Sequence, residues 1–326
     1  MSNVDEIMRQ YHQNQDVYQR LIDDIEDIIK RILTANEIKI SNFSLRLKSE
    51  NTLRKKIEYK KKYQDISQIT DVVACRIITL FESDLDHIVA LLKDNFDVLE
   101  FLDKRQKAKD DYIEFGYNSI HMVVRFNEAR CALVEYAPYK NIAFEIQIRT
   151  TLQHAWAEVE HGLGYKNEFE VPREIRRRLN RLSASLELLD EEFCRINEDI
   201  DAYNQSIEAK GHVFKTDINL HSLQVYVKQS LEVKKILDGL NVEVEYDSSI
   251  ISELRLVRRF HTLGYLYIHE LEEDLEKDSL EIIELGKHFI SHLSSINGYM
   301  VLVWLSMYAF IRDGKDDPDQ LMIKEE

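Results

Sequence analysis

The amino-acid sequence predicts an α/β fold, with a mixed β-sheet of about five strands flanked by helices, followed by an all-α region. Two observations support this prediction. Before residue 166, short apolar or alternating runs typical of strands are separated by amphipathic helical segments. After residue 166, the apolar residues recur at helical spacing throughout. We therefore expect an α/β domain over residues 1–166 and a helical extension over residues 167–326.

The first half divides into elements where the hydrophobic period changes. Residues 72–80 form a continuous apolar run, which is typical of a strand in the centre of a sheet. Residues 37–48 and 142–149 alternate apolar and polar side chains, as half-buried strands do. In chain order we predict a helix at 5–34, a strand at 37–48, a helix at 50–63, a strand at 72–80, a helix at 84–96, and strands at 97–102, 119–126 and 142–149.

The second half contains a long heptad pattern. Eight apolar residues are spaced alternately four and three positions apart, which is the pattern of a coiled-coil seam. They are Ile175, Leu179, Leu182, Leu186, Leu189, Phe193, Ile196 and Ile200. We expect this seam to pack within the chain, and packing against a second copy in a homo-oligomer is the alternative. Further helices are predicted near 217–237, 247–275, 277–295 and 298–312.

The composition limits the classes of function. A net charge of −16 over 326 residues disfavours general binding to nucleic acid. The three cysteines lie far apart with no Cys-x-x-Cys pair, so neither a disulfide framework nor a zinc site is indicated. The N-terminus lacks a signal pattern, and the longest apolar run, residues 299–311, is too short to cross a bilayer. We expect a cytoplasmic protein that does not contact a membrane.

One segment runs against the acidic balance of the chain. Between positions 46 and 62 lie eight cationic side chains, namely Arg46, Lys48, Arg54, Lys55, Lys56, Lys60, Lys61 and Lys62. A local cationic block in an acidic protein predicts binding of a defined polyanion, such as a nucleoside triphosphate. A solvated helix face is the alternative, and for Lys60, Lys61 and Lys62 both explanations stay open.

The most informative segment of the chain begins as a strand and continues as a helix. Glu145, Gln147 and Arg149 alternate with apolar residues and therefore share one face of the strand. Thr150 or Thr151 then caps the helix. A carboxylate, an amide and a guanidinium beside a helix N-terminus suit a metal ion and a phosphate. A salt bridge between Glu145 and Arg149 is the alternative explanation for their placement.

This segment, residues 144–166, resembles the signature of the RelA/SpoT-type (p)ppGpp synthetase domain. Residues 71–78 (Asp-Val-Val-Ala-Cys-Arg-Ile-Ile) and 116–121 (Gly-Tyr-Asn-Ser-Ile-His) look like two more blocks of that family in the right order. The basic block resembles its ATP-binding segment. The resemblance covers roughly residues 20–200 and implies a nucleotidyltransferase-like fold. It also implies a Mg²⁺-dependent transfer of pyrophosphate from ATP to the ribose 3′-hydroxyl of GDP or GTP.

The resemblance implies a role for each matching residue. Asp71, which starts the continuous apolar strand, is implied to bind Mg²⁺ together with Glu145, and a turn aspartate is the alternative. Glu145 is also implied to activate the acceptor hydroxyl, and Tyr117 to stack on the guanine. The implied ATP contacts are Arg46, Lys48, Thr52, Lys56 and Arg76. The implied acceptor contacts are Tyr117, Ser119, His121, Gln147, Arg149 and His154.

The sequence departs from the family at two places. His154 stands where small alarmone synthetases often carry asparagine, and we expect it to contact the acceptor. The cationic loop before Tyr112 lacks the usual proline, and Lys107 or Lys109 is the candidate there for the acceptor 5′-phosphates. His154 also shares a helix face with Glu158 and a second histidine, but no third-ligand motif accompanies them, so zinc is not expected.

Two missing motifs narrow the function further. The absence of a Gly-x-x-x-x-Gly-Lys-Ser/Thr segment argues against a P-loop enzyme. No His-Asp dipeptide occurs, so the hydrolase domain of long family members is not expected, and the chain resembles a stand-alone synthetase.

Two alternatives stay open. One keeps the chemistry but transfers to the 3′ CCA end of tRNA or to an adenine nucleotide. The other is an inactive regulatory module, which the presence of both Asp71 and Glu145 disfavours. A tRNA acceptor would need an extended basic track, for which residues 54–62 are taken as the only candidate. A free guanine nucleotide is therefore the favoured acceptor.

Overall fold

The computed structural model describes residues 3–105, 119–163, 172–210, 216–240, 243–245, 250–290 and 295–313. The chain forms two compact units, Met1–Ile196 and Asn197–Glu326. The domain boundary was expected at residue 166, whereas the two units divide after Ile196. This division falls inside a long helix, Arg173–Lys210.

Helices and strands alternate along the first unit, as the hydrophobic periods predict. The helices are α1 (Asn3–Gln13), α2 (Gln15–Ala35), α3 (Glu50–Lys60), α4 (Ser83–Asn95), α5 (Glu128–Cys131), α6 (Thr151–Gly162) and α7 (Arg173–Lys210). The strands are β1 (Ile40–Leu47), β2 (Val73–Thr79), β3 (Phe96–Asp103), β4 (Ile120–Phe126) and β5 (Phe144–Thr150). Single turns of 3₁₀-helix occur at Ile66–Gln68 and Ala137–Tyr139.

The five strands form one mixed sheet, which confirms the predicted α/β architecture. Their order is β1-β2-β5-β4-β3. The central pair β2 and β5 is parallel, and the other three pairings are antiparallel. The continuous apolar run at 72–80 thus forms a central strand, as expected for a segment that is buried on both faces.

The two faces of the sheet differ sharply in chemistry because successive strand residues point to opposite sides. On one face, Val73 and Ile77 of β2 and Ile146 and Ile148 of β5 are buried in a continuous core. Helices α1, α2 and α4 contribute apolar side chains to the same core. The opposite face carries the alternate, mostly polar members of these strands, and it holds the candidate site.

Helix α7 does not bury its heptad seam within the chain, so that expectation is wrong. Six of the eight seam residues are exposed, with Leu182 at 56% and Leu189 at 49%. The six are Ile175, Leu182, Leu189, Phe193, Ile196 and Ile200. Within the seam region of the helix the buried positions are instead Ser183 and Asp190, one heptad apart, and Ile207 is buried further along α7. The face that packs inward is therefore rotated away from the most apolar stripe.

The second unit is mainly helical. Its helices are α8 (Leu220–Gln229), α9 (Leu231–Leu240), α10 (Ile250–Leu263), α11 (Ile268–Lys277), α12 (Ser279–Ile290) and α13 (Met300–Arg312). Two short strands, β6 (Glu243–Glu245) and β7 (Ser295–Asn297), pair in parallel, which corrects the all-α expectation. Three residues are too few to establish an alternating pattern in the sequence. Within the described parts of the chain, no helix combines the length and apolarity required to cross a bilayer.

The core of the second unit leaves no room beside Gly286 on α12. A Cβ atom at this position would lie 2.9 Å from the ring of Trp304 and 3.0 Å from Leu240. Trp304 is itself almost fully buried and has no space into which to move. We predict that Gly286→Ala lowers the free energy of unfolding by about 1–3 kcal/mol because of overpacking. Thermal or denaturant unfolding measures this change.

Gly162→Ala is the matched control. It lies at the end of α6, and an added Cβ there has no atom within 4 Å. Its stability should stay at or slightly above that of the wild type, because alanine has the higher helix propensity. If Gly286→Ala were as stable as Gly162→Ala, the packing described for this core would be wrong.

Candidate functional site

The polar face of the sheet is assembled from residues that lie far apart in the sequence. Side chains of register partners on neighbouring strands point to the same face. The register places Arg46, Ala74 and Glu145 in one row, and Arg76, Gln147 and His121 in the next. The strand pairing therefore brings together residues from the segments that resemble the family and lie far apart in the sequence.

Asp71 lies just before β2 and is held by two lysines. Lys48 Nζ is 2.6 Å from Asp71 Oδ2, and Lys56 Nζ is 2.7 Å from Asp71 Oδ1. Burial raises the pKa of Asp71, but the two ammonium groups outweigh it and hold the pKa below its ordinary value. The buried carboxylate therefore has partners, and they are two of the residues expected to bind ATP.

Glu145 lies at the centre of the site and accepts hydrogen bonds from two neighbours. His121 Nδ1 is 2.8 Å from Glu145 Oε1, and Gln147 Nε2 is 3.4 Å from the same oxygen. The bond to His121 lowers the pKa of Glu145 despite burial, while the negative charge of Asp71 raises it. The two carboxylates therefore lie close enough to influence each other. The alternative salt bridge from Glu145 to Arg149 is not formed, since Arg149 bonds to Gln147 instead.

A hydrogen-bonded line extends from Glu145 to the end of β4. Ser119 Oγ lies 2.9 Å from His121 Nε2, and the other ring nitrogen contacts Glu145. Both nitrogens of His121 are thus engaged, which fixes the orientation of the ring. The sequence analysis expected Ser119 and His121 to contact the acceptor, and the structure adds that both are linked to Glu145.

Positive charge accumulates beside these carboxylates. Arg149 is only 6% exposed, and its Nη2 donates to Gln147 Oε1 at 2.6 Å. Burial, followed by the nearby Arg76, lowers the pKa of Arg149 to about 10, and Arg46 acts in the same direction. The guanidinium groups of three strands thus lie within electrostatic range of one another.

Several buried nitrogen atoms of this cationic cluster lack a hydrogen-bond partner among the described residues. They are Nε of Arg76 and of Arg149, and Nδ1 of His154 on the first turn of α6. Burial and the two arginines lower the pKa of His154. Buried polar groups are normally paired, so the open donors indicate a place for an anionic ligand.

Glu158 is a site residue that the sequence reasoning set aside with the metal set. Its Oε1 lies 3.5 Å from Arg76 Nη1 and 3.9 Å from His154 Nδ1. The side chain is largely exposed, so these ion pairs are screened and weak. Its spacing of four residues from His154 on one helix face was the signal that could have placed it here.

The junction between β5 and α6 is tightly bonded. Thr150 is the N-cap residue and forms a capping box with Gln153. Thr151 Oγ1 donates to the carbonyl of Thr79 at 3.1 Å, which ties the helix start to β2. Asp190 of α7 also contacts this junction, and nothing in its sequence context had marked it.

Not all expected site residues can be placed. Thr52 lies in the first turn of α3, exposed, with its hydroxyl 2.9 Å from that of Ser49. Tyr117 and the loop lysines Lys107 and Lys109 lie outside the described residues. Their roles stay predictions.

Comparison of the sequence with known proteins finds a matching family and similar proteins. Residues 45–170 match the family described as "Region found in RelA / SpoT proteins". The chain is 30% identical over 148 residues to the GTP pyrophosphokinase YjbM of Bacillus subtilis, covering 45% of this chain and 66% of that protein. It is 31% identical over 135 residues to YwaC, also a GTP pyrophosphokinase of that organism, covering 41% and 60%. These alignments span just under two thirds of the relatives' own lengths.

A solved structure supports the fold. A GTP pyrophosphokinase family protein from Streptococcus pneumoniae aligns with a TM-score of 0.50 at 24% identity. The alignment covers 60% of this chain and 96% of that one. At this identity, the likeness supports the architecture of the sheet and its helices, and the chemistry is argued from the side chains.

The open donors of the cationic cluster predict that a linear polyanion stabilises the protein. Inorganic tripolyphosphate should raise the melting temperature of the wild type, because a bound ligand stabilises the native state. Arg76→Gln and Arg149→Gln should each reduce this shift, since a charged hydrogen bond contributes about 1.5–3 kcal/mol. Arg31→Gln, which removes an exposed arginine on α2, should leave the shift unchanged. Equal shifts in all four proteins would show that the anion binds elsewhere.

Proposed function

We propose that this chain is a member of the RelA/SpoT family and a (p)ppGpp synthetase. It would transfer a pyrophosphoryl group from ATP to the ribose 3′-hydroxyl of GDP or GTP, with Mg²⁺ as cofactor. The observation that carries the proposal is the polar face of the sheet. Two carboxylates lie there beside lysines and arginines, and the Nε atoms of two of these arginines have no hydrogen-bond partner among the described residues. Phosphoryl-type transfer requires mainly such positioning and charge stabilisation.

The donor triphosphate would bind to the cationic side of this face. Lys48, Lys56 and Arg76, together with Arg46, would contact its phosphates, and Thr52 lies at the start of α3 nearby in sequence. Lys48 and Lys56 now neutralise Asp71. On ATP binding they are expected to share their charge with the phosphates, because ammonium groups are mobile point charges.

The residues present fit a magnesium ion. Mg²⁺ usually binds through one or two carboxylates and completes its shell with water and substrate phosphates. Asp71 and Glu145 supply two carboxylates whose charges interact. Among the described residues, no larger group of His, Cys, Asp and Glu side chains suits a metal, so the phosphates would supply further ligands. Bound Mg²⁺ would polarise the phosphate under attack.

The transfer step requires a base for the acceptor hydroxyl. The 3′-oxygen would attack the β-phosphorus of ATP, the bond from that phosphorus to the α-phosphate oxygen would break, and AMP would leave. Glu145 would receive the hydroxyl proton, and its bond to His121 Nδ1 orients the carboxylate for that role. The bond from His121 to Ser119 fixes the ring, so both residues would support Glu145.

The acceptor would occupy the part of the face next to Arg149 and His154. Arg149 and His154 carry two of the open nitrogen atoms of the cluster, and Gln147 is hydrogen-bonded to Arg149. Stacking of the guanine on Tyr117 is proposed from the family resemblance alone. We also propose a cytoplasmic location, where ATP and GTP are available, and a homo-oligomer formed through the exposed apolar stripe of α7.

The carboxylates provide the direct test of this proposal. Purified protein is incubated with Mg²⁺, ATP and labelled GDP, GTP or deacylated tRNA, and the products are separated. Asp71→Asn and Glu145→Gln should each lower transfer to the guanine nucleotide by about two orders of magnitude or more, since metal and base are lost. Asp27→Asn removes an exposed ion pair to Arg31 on α2, which packs against the opposite, apolar face of the sheet, and should retain full activity. Near-normal turnover of either site variant, with the fold intact by circular dichroism, would refute the assignment.

The acceptor can be tested through the basic segments. Lys60, Lys61 and Lys62 are exposed at the end of α3. Residues 54–62 are not the only basic segment, because α7 begins with five arginines, at positions 173, 176, 177, 178 and 181. Arg173, Arg177 and Arg181 line a shallow concavity of about 400 Å³. A tRNA track would use one of these two segments.

We predict that neither segment is required for a free nucleotide acceptor. A triple alanine variant of Lys60, Lys61 and Lys62, and another of Arg173, Arg177 and Arg181, should each keep GDP pyrophosphorylation within about twofold of the wild type, since all six residues are exposed and none belongs to the proposed site. Initial rates with GDP and with deacylated tRNA measure this. A wild type that modifies tRNA, and a triple variant that loses only that activity, would establish tRNA as the acceptor.

A further inference from the structure

We propose that Asp190 is a positioning residue of the transfer site, which acts through Thr150 to fix the junction between β5 and α6. The inference rests on the proposed function, because the junction carries site residues on both sides. Asp190 belongs to α7, far along the chain from the sheet, and none of the family blocks recognised in the sequence contains it.

The contact is short and shielded from water. Thr150 Oγ1 donates to Asp190 Oδ2 at 2.6 Å, and both residues are buried, Asp190 at 2% exposure. The same hydroxyl oxygen accepts from the backbone N–H of Gln153 at 3.1 Å, and Gln153 Oε1 accepts from the N–H of Thr150 at 3.0 Å. The carboxylate thus extends the capping box of α6 by one further bond.

The direction of these hydrogen bonds shows how Asp190 can orient the Thr150 hydroxyl. A hydroxyl has one hydrogen to donate and lone pairs with which to accept. When the hydrogen is donated to Asp190, a lone pair is left to face the N–H of Gln153. Without an acceptor at position 190 the hydroxyl is free to rotate, and the cap loses its preferred orientation.

A buried carboxylate is costly, and packing alone does not require one at this position. Burial, and then the negative charge of Glu82, raise the pKa of Asp190 to about 7. Ser183, one heptad earlier on the same face of α7, is also buried but is small and uncharged. A buried carboxylate needs hydrogen-bond partners, and the hydroxyl of Thr150 supplies one of them to Asp190.

The junction that Asp190 holds is the part of the site where small shifts matter most. Arg149 directly precedes Thr150, and His154 follows on the first turn of α6. The adjacent Thr151 binds the carbonyl of Thr79 on β2, so the junction also connects the two central strands. A displacement of Thr150 would move the Arg149 and His154 donors relative to the bound nucleotides. Misplacement by about 1 Å lowers rates by about two orders of magnitude.

The test compares variants of the two bonded residues with a matched control. Asp190→Ala and Thr150→Val remove the bond, whereas Asp190→Asn and Thr150→Ser keep an acceptor and a hydroxyl. Ser183→Ala changes a buried polar residue on the same face of the same helix. For each protein, kcat and the KM for ATP and GDP are measured well below its melting temperature, which is recorded separately.

We expect Asp190→Ala and Thr150→Val to lower kcat by about tenfold to 100-fold, with the KM for ATP changed less than about threefold. Thr150→Ser and Asp190→Asn should restore most of kcat, and Ser183→Ala should match the wild type. The double variant should be no slower than the slower single variant, because both substitutions remove the same bond between Thr150 and Asp190.

Three results would overturn the inference. They are a wild-type kcat in Asp190→Ala, an equal loss of kcat in Ser183→Ala, or additive losses in the double variant. Absence of transfer in the wild type would instead refute the proposed function. The inference is then judged by the melting-temperature shift with inorganic tripolyphosphate. That shift should be smaller for Asp190→Ala than for Ser183→Ala, and equal shifts would overturn it.

Discussion

Buried positive charge on one face of a five-stranded sheet is the constraint on which the rest of the site depends. Arg149 is nearly inaccessible to solvent, and its pKa is depressed first by this burial and then by the positive charge of the neighbouring Arg76. A protein does not normally bury like charges beside one another without an anion to balance them. Among the described residues, Gln147, Glu145 and the largely exposed Glu158 supply only partial compensation. Bound phosphates would supply the remaining negative charge.

The alternation of the strands allows these charged side chains to be buried, because the same strands are anchored by an apolar core. Each central strand directs apolar side chains into a core with α1, α2 and α4, and that core fixes the positions of the alternate, polar residues. A shift of β5 by one residue would send Glu145 and Arg149 into the core and expose Ile146 and Ile148. The same hydrophobic packing therefore stabilises the fold and sets the register of the functional groups.

Sequence reasoning predicted the sheet well because its strands carry strong local patterns. The runs at 37–48, 72–80 and 142–149 correspond to β1, β2 and β5, and the alternation on β5 correctly placed Glu145 with Arg149 on one face. The side-chain pairs between strands could not be predicted from the sequence. The contact of His121 with Glu145, for example, depends on the register of two strands whose residues are 24 positions apart. The heptad seam was misjudged because the pattern shows an apolar stripe without showing what covers it.

The same limit explains why Asp190 escaped notice. An aspartate between apolar helix positions reads as a solvated residue, and only the tertiary structure reveals that its carboxylate is buried against Thr150. Local patterns thus report which residues share a face. They do not report which charged residues pair when the partners are distant in sequence. The ion pairs of Asp71 with Lys48 and Lys56 are found only in the folded structure.

The central claim is that the charged sheet face carries out an intact pyrophosphoryl transfer. The most direct measurement follows ATP that carries ¹⁸O in the bridge between its β- and γ-phosphates, with GDP as acceptor, by ³¹P NMR. The account predicts AMP without the label and an equal amount of guanosine product whose 3′-diphosphate retains the labelled bridge. Formation of ADP in place of AMP, or recovery of the labelled bridge only in free pyrophosphate, would contradict it.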